Sequence, residues 1–270
     1  MKRILVLGGT GLLGNAVVRY FTGQKGYDVT ATYRTEGLDI PCNKLKFDAL
    51  NDSPAVLSGS YDYAINCIGI IKPFIMQDIV AAIKINSMFP HTLTRWCIKE
   101  QIKLIHITSD CVFSGQKGKY VESDNHDAYD EYGKTKSLGE PVKNSMVLRT
   151  SIIGEEIHKY ASLLSWAKSQ KGNTIPGYST HIWNGVTTDY YAKICDTIIK
   201  KDLFEPGLFH VFAKDDVTKM EMMFMFNEKY SLGLKIKDTD PGKCDRTLRT
   251  EKELNKKLKI PTVKQMIEEL

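Results

Sequence analysis

Tyr132 and Lys136 in YGKTK stand four residues apart, a spacing that puts both on one face if the segment is helical. A phenol with an ordinary pKa of about 10 is a poor acid or base at neutral pH. A neighbouring ammonium favours the phenolate and brings the proton into catalytic range. Upstream, Ser109 in ITSDCVFSG stands where it can hold a carbonyl oxygen while hydride reaches the carbon. A Y-x-x-x-K spacing alone is common. It gains weight from a glycine loop at the start of the chain.

That loop is GGTGLLG, in which Gly8, Gly11 and Gly14 follow the apolar run KRILVL. The first glycine suits a tight turn out of a strand, and the second lets backbone approach a pyrophosphate. The third lets a helix pack closely on the sheet, and that helix offers unpaired N–H groups to phosphate. Thr10, Leu12 and Leu13 fill the loop and first turn, so they join the cofactor-binding set. The second strand, DVTATY, ends without the acid that would hold both ribose hydroxyls of NADH. Tyr33 stands there instead, followed by Arg34, which can pair with a 2′-phosphate. NADPH is therefore expected, with NADH as the second candidate and a solvated loop charge as the alternative role of Arg34. Thr32 is a further donor toward that phosphate. Asp48 suits either an adenine contact or a plain turn.

The elements that would position these groups alternate. Strand-like runs recur at KRILVLGG, DVTATY, KLKFD (44–48), YDYAINCIG (61–69), KLIHITS (103–109) and VKNSMVLRTSIIG (142–154), with helical periodicity between several of them. This predicts an α/β fold, a Rossmann-type doubly wound parallel sheet with a smaller C-terminal substrate-binding cap. Residues 1–155 form the NAD(P)-binding part. Residues 156–270 are mainly cap, with some segments returning to the core. Helical stretches near 157–170, 188–200 and 218–229 are separated by NTIPGYSTHIWNG and by the short apolar GLFHVFA. The cleft is expected above the carboxyl ends of the strands.

A chain of 270 residues with 42% hydrophobic and 26% charged residues can bury a large core. No apolar run approaches the roughly 18 residues of a membrane span. The start does not read as a leader, and a cytoplasmic location is expected. The six cysteines lack C-x-x-C spacing, so reduced thiols are expected, with no metal. The +5 charge is concentrated between Lys235 and Lys264, where ten Lys or Arg face five acids. No nucleic-acid module accompanies it; solvated helix faces or attraction of a phosphorylated substrate are the two explanations. MEMMFMFNE (220–228) suits a packing stripe. His106 suits the core, and Trp183 either stacks on a nucleotide base or anchors the cap. Asn173, Thr174 and His181 are weaker sugar contacts.

With GGTGLLG, TSDCVFSG and YGKTKSLGE in place, the chain resembles the extended short-chain dehydrogenase/reductases, and within them the dTDP-4-dehydrorhamnose reductase-like group. The resemblance implies catalytic roles for Ser109, Tyr132 and Lys136, with Asn86 in KINSMFP as the structural and proton-relay asparagine. It implies cofactor contacts from Cys67, Ile68 and Gly69, and places Glu122 and Asp124 in the acidic segment before the tyrosine. It implies substrate contacts from Ser109, Cys111, Tyr132, Trp183, Arg246 and Arg249, with Arg249 preferred over Arg246 for the diphosphate.

The departures are Cys111 where the family usually has tyrosine, WNGVTT (183–188) in place of G-x-P-T, and a loosely matching DRTLRTEKEL. A dehydratase would need a carboxylate where Cys111 stands. The implied activity is NADPH-dependent reduction of a nucleoside-diphosphate 4-keto-sugar, and the implied assembly a homodimer. The alternatives are an epimerase or a non-catalytic dinucleotide-binding regulatory subunit, as in methionine adenosyltransferase.

Overall fold

Four consecutive apolar residues in KRILVL leave no polar face for water, and a strand of that kind must be covered on both sides. Strand β1 (Lys2–Leu7) accordingly lies inside a sheet, with Ile4, Leu5, Val6 and Leu7 fully buried. The computed structural model describes residues 1–35, 41–156 and 162–270. After β1 come α1 (Leu12–Thr22), β2 (Tyr27–Tyr33), β3 (Asn43–Lys46) and β4 (Tyr63–Asn66). Next are α2 (Lys72–Ile75), α3 (Ile79–Ile83), a π-helical turn at Lys84–Met88, and α4 (Phe89–Lys99). They lead to β5 (Lys103–Ser109), α5 (Glu131–Leu138) and β6 (Met146–Thr150).

The second half begins with β7 (Ile152–Ile153), α6 (Leu163–Ser169), β8 (Thr174–Tyr178), β9 (His181–Trp183) and β10 (Val186–Thr187). Then follow α7 (Thr188–Lys200), β11 (Gly207–His210), β12 (Val217–Thr218) and α8 (Lys219–Tyr230). The chain closes with β13 (Lys235–Thr239), β14 (Cys244–Asp245), α9 (Leu254–Leu258) and α10 (Val263–Glu268).

Seven strands form one parallel sheet in the order β11-β6-β5-β4-β1-β2-β3. The order reverses between β1 and β4, which opens a crevice at the carboxyl ends of those two strands. This is the doubly wound sheet expected from the sequence. GLFHVFA, read there as a spacer between helices, supplies β11 instead. It extends the sheet beside β6, with Phe209 and His210 buried. The beginning of the helix expected from residue 157 lies outside the described residues.

The remaining strands make small sheets, β12-β9-β14, β13-β8 and β10-β7. Helix α7 packs on α1, and one apolar core runs from Ile4 in β1 to Ile267 in α10. The methionine stripe is a packing surface, as expected: Met222, Met223 and Phe226 are buried in that core. All six cysteines are unpaired thiols. Among the described residues no helix is long and apolar enough to cross a membrane.

Candidate active site

The glycine loop is shaped by close approach. Gly8 has φ +83°, and a Cβ there would stand 2.9 Å from Ile68 Cγ1. A Cβ on Gly14 would fall 2.0 Å from the Gly8 carbonyl oxygen, so only glycine lets α1 sit so near the turn. Gly11 N-caps α1 and has no side chain to accept from the first turn. The N–H groups of that turn therefore face the crevice without helical acceptors. Leu13 points its side chain into the core, at 5% exposure, and leaves only its backbone to the loop.

Thr32 does not reach toward a phosphate. It is 1% exposed, and its Oγ1 accepts from Gly8 N at 2.9 Å, which ties the loop to β2. Tyr33 is half-buried and Arg34 is exposed directly after β2. Asp48 serves its turn: its carboxylate accepts from Leu50 N at 3.0 Å and from Asn51 Nδ2 at 2.8 Å. Across the crevice, Cys67 N donates to Leu7 O at 3.1 Å, and Ile68 N to Asn66 Oδ1 at 3.1 Å. A Cβ on Gly69 would come within 3.7 Å of Lys136 Nζ. The two halves of the sequence signal therefore meet at this crevice.

Ser109 closes β5 and is 8% exposed. Its Oγ accepts from Cys111 N at 3.1 Å and donates to Asp110 Oδ1 at 3.3 Å. Helix α5 starts under Asp130, whose Oδ1 accepts from Gly133 N at 2.7 Å. The helix places the Tyr132 hydroxyl against Ser109, with the Cys111 thiol and Asp110 carboxyl nearby. Burial, seconded by Cys111 and Asp110, pushes the phenol well above its ordinary value, against the hydrogen bond from Ser109. The direction is opposite to the lowering expected from the sequence, because loss of solvent penalises the charged form. Lys136 is 5% exposed and donates to Ile107 O at 3.3 Å. Burial lowers its pKa to about 8, against the opposing charge of Glu140. Cys111 is a neutral thiol, pushed up to about 12 by burial and by Asp110.

Asn86 lies in the π-helical turn, with its amide committed to structure. Its Oδ1 accepts from Ile70 N and its Nδ2 donates to Ile70 O, both at 2.9 Å, and Nδ2 also reaches Thr135 Oγ1 at 3.2 Å. His106 is a core residue, as read from the sequence, and its Nδ1 lies 3.0 Å from Asn66 Nδ2.

On the substrate side, three expectations change. Trp183 is 4% exposed and packed in the core, and the Lys219 ammonium lies 5.5 Å from its ring centroid. It is a packing residue of the main core, which favours the anchoring role over stacking on a base. Arg249 is paired with Asp216 at 2.5 Å and donates to Leu248 O at 2.7 Å. Arg246 is the arginine turned to the reactive residues: its Nε donates to Phe113 O at 2.7 Å, and its charge acts on Asp110, Cys111 and Asp130. The preference for Arg249 is therefore reversed.

The sequence reading missed a buried network behind α5. Arg149 is fully buried, pairs with Glu140 at 2.7 Å, and donates to His210 Nε2 at 2.8 Å and His126 Nε2 at 2.6 Å. His210 Nδ1 donates to Arg249 O at 2.7 Å, and burial and Arg149 lower its pKa to about 4. Glu122 accepts from His210 N at 2.9 Å and from Thr250 Oγ1 at 2.6 Å, joining the acidic segment to the C-terminal stretch. One signal was available: an arginine within the apolar strand MVLRT has to find buried partners.

A family model described as the RmlD substrate binding domain matches residues 1–237. The chain is 27% identical over 256 residues to methionine adenosyltransferase 2 subunit beta of Bos taurus, covering 86% of this chain and 73% of that one. It is 25% identical over 221 residues to dTDP-4-dehydrorhamnose reductase of Aggregatibacter actinomycetemcomitans, covering 78% of this chain and 73% of the other. The fold matches that of dTDP-4-dehydrorhamnose reductase (rfbD) from Bacillus anthracis in complex with NADP. The TM-score is 0.81 at 17% identity, over 99% of this chain and 98% of that one.

Proposed function

Because the chain belongs to the RmlD substrate-binding-domain family, we propose that it is an NADPH-dependent reductase of a nucleoside-diphosphate-linked 4-keto-sugar. The observation that carries this reading is the meeting of Ser109, Tyr132 and Lys136 at the carboxyl end of β5, beside a glycine crevice. The crevice fits a dinucleotide: its glycines let the turn, α1 and the loop after β4 approach closely, and α1 opens on an uncapped turn of N–H donors. Arg34 supports the phosphorylated cofactor.

Nicotinamide, when bound, supplies the hydride. Ser109 holds the sugar carbonyl oxygen, and Tyr132 donates a proton to that oxygen. A phenol kept neutral by burial is in the protonation state this donation needs. Lys136 holds a positive charge near the phenol and contributes to seating the cofactor's ribose. Asn86 holds the Ile70 backbone and Thr135, which keeps the loop after β4 and helix α5 in register.

The likeness to a methionine adenosyltransferase subunit supports a second reading, a dinucleotide-binding regulatory subunit. NADPH oxidation by the purified protein with nucleotide-linked 4-keto-sugars separates the two. Turnover that vanishes in Tyr132→Phe supports the reductase. No turnover with any such sugar, together with a change in the kinetics of an added methionine adenosyltransferase, supports the regulatory subunit. A homodimer is part of the proposal: Met76, Val80, Ile83 and Met88 are exposed apolar residues around α3, which packs beside α5.

A further inference from the structure

Lys219 and Arg246 are far apart in sequence, and the small sheet β12-β9-β14 brings them to the same face. Lys219 follows β12 directly and Arg246 follows β14 directly, with β9 between the two strands. Thr218 is opposite Ile182 and Val217 opposite Trp183, while Cys244 is opposite His181 and Asp245 opposite Ile182. Side chains alternate along a strand, so continuing both registers by one residue puts Lys219, His181, Trp183 and Arg246 on one face. The Lys219 ammonium 5.5 Å from the Trp183 ring agrees with that placement. The face looks onto the turn after Ser109, because Arg246 Nε is held by Phe113 O at 2.7 Å.

Both cations are half-buried. Among the described residues, neither has a carboxylate within ion-pair distance, whereas the neighbouring Arg249 and Lys117 are paired. Two like charges held together and partly out of water repel each other, and an anion between them would relieve both. Two acids act on this pair from nearby: Asp110, which is 6% exposed and already takes the Ser109 hydrogen bond, and Asp130, which is taken up by Lys72 and by the N–H of Gly133. Burial pulls the Lys219 ammonium below its ordinary value, in keeping with a cation that lacks a close counter-ion.

We propose that Lys219 and Arg246 form a two-cation clamp for an anionic group of the substrate, with Lys219 a specificity-determining residue of this site. The clamp rests on the nucleotide-sugar reading above. The anion is the substrate's diphosphate or a carboxylate on its sugar, since either presents paired oxygens to two cations. Arg246 supplies a fork of donors and Lys219 a point charge, so the ligand is gripped from two sides of β9.

Calorimetric titration of the wild type, K219M and K219R with UDP, dTDP, uridine, thymidine, UDP-glucose and UDP-glucuronate tests this without turnover. A diphosphate ligand predicts that UDP or dTDP binds far better than its nucleoside. K219M then weakens it about tenfold or more, the scale of a lost charged hydrogen bond, and K219R recovers most of the loss. A carboxylate ligand predicts that K219M spares UDP and UDP-glucose and weakens only UDP-glucuronate. NADPH titration and the melting temperature show whether each variant is folded. K219Q, which keeps a hydrogen-bond donor but no charge, replaces K219M if the latter melts early.

Equal affinities of wild type and charge-free variant for every anionic probe would overturn the clamp, as would failure of the wild type to bind any of them. A protein that binds these probes through Lys219 and never oxidises NADPH keeps the clamp and loses the reductase reading.

Discussion

A Cβ on Gly133 would lie 2.2 Å from the Cys111 carbonyl oxygen. The helix that carries Tyr132 and Lys136 therefore rests directly on the turn that carries Ser109. Gly133→Ala must push the two apart, and overpacking of this kind costs about 1–3 kcal/mol. The variant is expected to melt several degrees lower and to lose turnover by more than its loss of folded protein. A rate per folded molecule equal to wild type would show that the contact does not set the distance between Tyr132 and Ser109.

Tyr132→Phe keeps the ring and removes the donated proton. Turnover with a nucleotide-linked keto-sugar is expected to fall about 10²-fold or more, the usual share of general acid catalysis, while NADPH binding stays intact. Single-turnover oxidation of NADPH at saturating sugar measures it. Near-wild-type rates would take Tyr132 out of the mechanism.

Lys136 gives a stability prediction with a definite sign. Its pKa falls from 10.5 in the open chain to about 8 in the fold. Between those two values the unfolded state holds the extra proton, so this group's contribution to stability rises with pH across that window. Below pH 8 its full penalty is present. Lys136→Met should therefore be more stable than wild type at pH 7, by a margin that shrinks as pH rises from 8 toward 10.5. Urea unfolding of both proteins at pH 7 and pH 10 reads the difference; a constant margin would argue against the depressed pKa.

Arg34 is exposed directly after β2, where an acid would repel a 2′-phosphate. Arg34→Ala is expected to weaken NADPH by about 1.5–3 kcal/mol, the range for a charged hydrogen bond, and to leave NADH nearly unchanged. Paired fluorescence titrations decide it. Equal losses for both cofactors would mean that Arg34 does not read the phosphate.

Arg249 is paired with Asp216, with side chains 35% and 29% exposed. A pair so open to water contributes about 0–1 kcal/mol. Arg249→Ala should change the melting temperature slightly and leave KM for the nucleotide-sugar as it was, whereas Arg246→Ala should raise KM. Initial rates for the two variants against sugar concentration give the answer, and a raised KM for R249A would restore it to the substrate site.

What the sequence by itself determined is local. The apolar run KRILVL and the glycine spacing after it announce a buried strand that turns into a helix, because each residue there answers to its nearest neighbours. The i, i+4 spacing puts Tyr132 and Lys136 on one helical face for the same reason, and the methionines of α8 pack as their spacing suggests. The tertiary structure decided whatever depends on distant partners. Thr32 turns to Gly8, 24 residues away, and so is not available to a phosphate. GLFHVFA becomes a strand because β6 offers it an edge. The phenol of Tyr132 is raised and not lowered because burial, joined by Cys111 and the nearby carboxyls, outweighs the hydrogen bond from Ser109. Arg149 finds Glu140, His126 and His210 on three different segments. Arg246 and Arg249, only three residues apart, are told apart by Phe113, which holds one guanidinium at the reactive turn, and by Asp216, which holds the other in an ion pair. Spacing along the chain carries the first kind of information; charge, burial and long-range hydrogen bonds carry the second, and they exist only once the chain is folded.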